Sequence, residues 1–118
     1  MYASAHGVYE LELNGASVAG DVLAPGWTSY RHRLRTQTYD VTDLLAPGEN
    51  VLGAVLSDGW WRGKTGFTRE VDCFGTDVAL LAQLEARHDH GRVTTVSTGP
   101  GWSTTTGEIV RADLIDGE

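Results

Sequence analysis

The chain has 118 residues, long enough for one domain with a real core but not for two. Hydrophobic residues make up 41%, an ordinary globular share that a disordered chain does not reach. The formal net charge of -7 argues against a nucleic-acid binder, whose affinity rests on neutralised phosphates, and equally against docking on an anionic membrane surface.

The N-terminal stretch MYASAHGVYE has no basic region followed by an apolar one, so it does not read as a signal peptide. It runs almost directly into strand-like sequence. Val8–Leu13 (VYELEL) alternates, with Tyr9, Leu11 and Leu13 on one side and Glu10 and Glu12 on the other, the pattern of a half-buried strand. Asn14-Gly15 follows and tolerates the positive φ of a tight hairpin turn, after which ASVAGD returns. Leu23–Arg33 reads as a loop with a Pro-Gly turn, and Leu34–Val41 as a second alternating strand. Thr42–Asn50 can form one helical turn, with Thr42 as its cap and Pro47-Gly48 as its stop. Asn50–Ser57 (NVLGAVLS) is apolar on both faces, which predicts a central strand covered on both sides.

Residues 59–76 form the longest irregular segment, rich in glycine and aromatics. Asp77–Arg87 fits a helix about as well as a strand. The turn-like His88–Gly91 and the Thr/Val-rich run after it favour a β-hairpin. GWSTTTG and EIVRADLIDG supply the last strands. The result is an all-β chain of eight to nine short strands, an antiparallel sandwich or jelly roll, forming a single domain over residues 1–118. Both ends read as cut, which points to a domain excised from a larger protein, with the first strand of the sandwich expected upstream of Met1. An edge left open by that strand would invite pairing of two copies into a homodimer.

Catalytic signals are weak. Glycoside hydrolysis needs two positioned carboxylates, and no acid here sits in a context that pairs it with another. Asp58 beside Trp60 is the best candidate for a perturbed acid, but an acid at a strand end usually caps a turn. His88 and His90 could share an ion from alternate strand positions, although a polar hairpin turn explains them as well. Cys73, the one cysteine, allows no intrachain disulfide and has no neighbouring His or Lys to lower its pKa.

The aromatics carry the strongest signal. Trp27, Trp60, Trp61 and Trp102, with Tyr30, fall in or beside loop-like sequence. A sugar ring stacks its apolar face on an aromatic ring while acids, amides and arginine take its hydroxyls. APGWTSYRHR and DGWWRGKTGF together offer both parts. Trp27, Tyr30, Asp58, Trp60, Trp61 and Arg62 are therefore the candidate ligand-binding residues. Composition leaves open the alternative that these tryptophans plug a core or an interdomain contact. Strand alternation would send the adjacent Trp60 and Trp61 to opposite sides.

The succession GVYELELNGASV, DVLAPGWTSYRHRLRTQTYDVTDLL, PGENVLGAVLSDGWWRG, ALLAQLEARHDHG and WSTTTGEIVRADLIDGE resembles the N-terminal domain of bacterial α-L-rhamnosidases of glycoside hydrolase family 78 across nearly the whole chain. The resemblance implies a jelly-roll, galactose-binding-like β-sandwich ahead of an (α/α)6 catalytic barrel that carries the catalytic acids. No part of that barrel is present, so this chain should not hydrolyse a substrate by itself. The resemblance further implies a carbohydrate-binding or substrate-recognition role toward rhamnose-containing glycans. The alternative is a structural domain packed on the catalytic domain. Some members, classed as carbohydrate-binding module family 67, bind L-rhamnose with calcium held by an acid and an amide in the loop after PGWT. Here that loop reads Ser29-Tyr30, with neither, although Asp58 and Asp21 could still supply oxygens to a calcium ion; no other metal or cofactor is expected.

Overall fold

Alternation and turn chemistry set the first hairpin. In a computed structural model describing residues 1–109 and 112–117, Val8–Leu13 forms strand β2, with Tyr9, Leu11 and Leu13 buried and Glu10 and Glu12 exposed. Burying a side chain the size of leucine contributes about 1.5–3 kcal/mol, which ties the register to this alternation. Asn14 (φ 56°) and Gly15 (φ 78°) make the turn into β3, Ala16–Ser17. The other strands are β1 (Tyr2–His6), β4 (Gln37–Thr38), β5 (Leu52–Ser57), β6 (Ala79–Arg87) and β7 (Val93–Ser97). They build a four-stranded sheet in the order β4-β1-β6-β7 and a three-stranded sheet in the order β3-β2-β5, with every pairing antiparallel. The core between them comprises Met1, Ala3, Ala5, Tyr9, Leu11, Leu13, Ala24, Val41, Ala82 and Leu84.

The all-β sandwich and the hairpin joining β6 to β7 through Asp89–Gly91 agree with the sequence. Several local expectations do not. The strand covered on both faces is β1, not β5. Ala3, Ser4 and Ala5 are all buried, and the Ser4 hydroxyl donates to the Arg35 carbonyl at 2.7 Å. β5 is an edge strand whose outward Val55 is 63% exposed. Strand pairing at Leu34–Val41 is limited to Gln37–Thr38. Thr42–Leu44 does form a helical turn, of the 3-10 type, but Thr42 does not cap it. Its amide and hydroxyl instead donate to Asp40, which holds that carboxyl below the usual range. GWSTTTG contains no strand, and Asp113–Gly117 closes a turn through one isolated bridge. The Val110–Arg111 part of the expected last strand lies outside the described residues.

Candidate functional site

The segment DGWWRG leaves the end of β5. Gly59 sits at φ +52°, and a β-carbon there would come within 2.7 Å of Val8 Cγ1. A glycine therefore breaks the strand at this point, and Gly59–Arg62 closes one helical turn, α1. Consecutive side chains on a helix diverge by roughly 100° instead of the strand's 180°. Trp60 and Trp61 consequently do not take opposite faces of a sheet, and both are half-buried.

Trp61 is held on several sides. His6, at the end of β1, stacks on it with ring centroids 3.8 Å apart and planes 9° from parallel. Tyr30 meets it edge-on at 5.3 Å, and Phe74 packs against Tyr30 at 4.9 Å. The indole Nε1 donates to the Asp77 carbonyl at 2.9 Å. Gly75 lies so close that a β-carbon would come within 2.5 Å of Trp61 Cζ2. The surrounding loop is tied to the same turn, with the Asp72 amide donating to the Arg62 carbonyl at 3.0 Å and the Phe74 amide to the Trp61 carbonyl at 3.3 Å.

The charged neighbours are equally committed. Arg62 Nε donates to Asp58 Oδ1 at 2.6 Å, and Arg62 Nη1 donates to the Thr76 carbonyl at 2.9 Å. The two charged side chains are 38% and 34% exposed, so the pair contributes only about 0.3–0.5 kcal/mol. It engages one Asp58 oxygen and, with the Thr76 contact, two of the three Arg62 nitrogens. Beyond α1, the Lys64 amide donates to Asp113 Oδ2 at 2.8 Å, and both Lys64 and Arg69 pair with Asp116. The Lys64 amide is the main cause of an Asp113 pKa below the usual carboxylate range.

Of the six expected ligand-binding residues, Tyr30, Asp58, Trp61 and Arg62 are thus drawn together by the fold's own contacts. Tyr30 is buried, and its hydroxyl has no hydrogen-bond partner among the described residues. Burial pushes its pKa up. Trp27, just beyond the cis Ala24-Pro25 bond, is 59% exposed and stands apart from that cluster's ring contacts. Two cavities lie elsewhere. One of about 200 Å³ is bordered by Tyr9, Tyr39 and Asp21, and one of about 410 Å³ by Val8, Leu23, Val55 and Leu114. None of the six residues lines either.

The loop after Trp27 offers no carboxylate or amide side chain. The Ser29 carbonyl accepts the amides of His32 and Arg33, and the Tyr30 hydroxyl is buried. These residues do not fit a calcium ion. Among the described residues no group of three or more His, Cys, Asp or Glu could hold a metal. His88 Nε2 lies 2.8 Å from the Thr94 hydroxyl, within the hairpin, and Cys73 Sγ lies 3.1 Å from Thr65 Oγ1. The sequence reading missed His6 and Phe74 as partners of Trp61. His6 is 55 positions away, and no local period points to it.

Residues 1–118 match the family profile described as the α-L-rhamnosidase N-terminal domain. The chain is 47% identical over 118 residues to an α-L-rhamnosidase of Streptomyces avermitilis and 39% identical over 120 residues to one of an Alteromonas species. It spans 11% and 13% of their lengths. Among solved structures, the Streptomyces avermitilis α-L-rhamnosidase complexed with L-rhamnose superposes with a TM-score of 0.95 at 46% identity, over 98% of this chain and 11% of that one. Native α-L-rhamnosidase from Aspergillus terreus superposes with a TM-score of 0.92 at 34% identity, over 98% of this chain and 14% of that one.

Proposed function

We propose a function from one premise: this chain belongs to the α-L-rhamnosidase N-terminal domain family. It acts as a non-catalytic accessory domain of an α-L-rhamnosidase, serving by packing against the rest of that enzyme and not by binding sugar at its aromatic segment. One observation carries this reading. The side chains expected to grip a sugar are already engaged, with Trp61 held by His6, Tyr30, Phe74 and the Asp77 carbonyl, and Asp58 closed on Arg62. Exposed apolar side chains occur within the aromatic segment, at Phe67, and away from it, where Leu23, Val55 and Ile109 border one cavity. Contiguous exposed apolar surface of this kind marks contact with other protein.

A second reading has one specific support. Trp27 is exposed and could take the apolar face of a rhamnosyl ring. Titrating the chain with L-rhamnose, with and without calcium, while following tryptophan fluorescence separates the two. The packing reading expects no saturable change in either condition. A saturable change that disappears in Trp27→Ala overturns it in favour of sugar binding.

A further inference from the structure

The two sheets are of unequal width, four strands facing three. On β6 the inward Ala82 and Leu84 are buried. On β7, Val96 stands opposite Leu84 in the register and shares its inward face, yet it is 46% exposed, and Thr94, opposite Ala86, is exposed too. The described residues thus lay no covering layer beneath the inner face of β7. At Gly7, where the chain passes from β1 to β2, the Ser57 carbonyl and Val78 Cγ1 both crowd the site of a β-carbon, at 2.3 and 3.2 Å. The end of β5 and the start of β6 therefore lie on the same flank of the β1–β2 ribbon. On that flank β5 is the last strand of its sheet, whereas β6 is followed outward by β7.

The outer edge of β5 can accept a further strand. Antiparallel pairs alternate between bonded and non-bonded positions. The Tyr9 amide donates to Ala24, and the Leu11 carbonyl accepts from Val18, so both backbones turn away from β5. Their partners Leu56 and Ala54, and by the same alternation Leu52, direct N–H and C=O groups outward. The side chains of these three residues pack inward against the core. β5 contains no proline and no charge, which are the usual devices that blunt an edge.

We propose that this flank is the acceptor for one extended, uncharged strand, which pairs with β5 and lays alternate apolar side chains beneath Val96, bringing the sandwich to four strands over four. The strand is supplied by the same polypeptide, from outside these 118 residues. The chain spans a small fraction of its relatives' length, and a tethered strand binds at a high effective concentration. Two copies, each carrying -7, would repel instead. The proposal uses the accessory-domain reading only in placing the chain within a longer polypeptide, and its test does not depend on any sugar response.

Residue-resolved hydrogen exchange on that longer polypeptide decides it. Gly53 and Val55 bond to β2 and serve as internal references. The amides of Leu52, Ala54 and Leu56 are expected to exchange within about tenfold of these references. Exchange of those three a hundredfold or more faster than the references overturns the proposal. Protection that disappears on dilution would identify a second copy as the occupant and overturns it equally.

Discussion

Replacing Tyr30 by Phe should stabilise this protein, although it deletes a polar group from a packed cluster. Tyr30 is 9% exposed, its ring packs on Trp61 and Phe74, and its hydroxyl has no partner among the described residues. An unsatisfied buried hydroxyl carries a desolvation cost of about 1–3 kcal/mol. Phenylalanine keeps the ring contacts and removes that cost, leaving a gain of about 1–2 kcal/mol once some relaxation toward solvent is allowed. For 118 residues the unfolding entropy near the transition is about 250 cal/mol/K, so the melting temperature should rise by about 4–8 °C. Thermal unfolding followed by circular dichroism reads this directly. A fall of several degrees would refute the reasoning, because it would show that the hydroxyl is bonded. Absorbance titration gives an independent check. Tyr30, like Tyr9 and Tyr39, is held protonated by burial and should not ionise at the ordinary tyrosine pKa while the chain is folded.

Gly75→Ala should destabilise the chain by about 1–3 kcal/mol, because the new methyl overlaps the Trp61 ring, and a shift in tryptophan emission should accompany the lower denaturation midpoint. Asn14→Ala removes hydrogen bonds to the Leu44 carbonyl, Asn50 and the Val51 amide and places alanine at φ 56°. A loss of about 1–3 kcal/mol in urea unfolding is expected, and a change below 0.5 kcal/mol would count against that network. The folded pKa of Asp113 lies below its unfolded value, so the stability it lends is present above about pH 4 and is lost as pH falls through the folded value. Asp113→Asn should flatten the acid limb of a stability–pH curve and leave the curve's shape near neutrality unchanged.

The sequence by itself determined the class of this protein and its most local features. The alternation in Val8–Leu13 reappears as burial, because a period of two has only one way to face a core. Asn14-Gly15 turns as its tolerance of positive φ requires, and the turn that follows the ambiguous Asp77–Arg87 marks it as strand, which the fold forms over Ala79–Arg87. The motif order also carried the family. Only the tertiary structure decided which apolar strand is covered on both faces. NVLGAVLS has the more apolar pattern, yet β1, with its small Ala3, Ser4 and Ala5, takes the enclosed place, because coverage depends on what lies across a sheet and not on the strand's own residues. The same holds for DGWWRG. The residue types leave a sugar platform and a packed plug both open, and only the fold shows that His6, Tyr30 and Phe74 converge on Trp61 from distant positions and that Asp58 closes on Arg62 one helical turn away. Side-chain chemistry is written locally, but whether it remains free for a ligand is set by long-range contacts, to which no local period points.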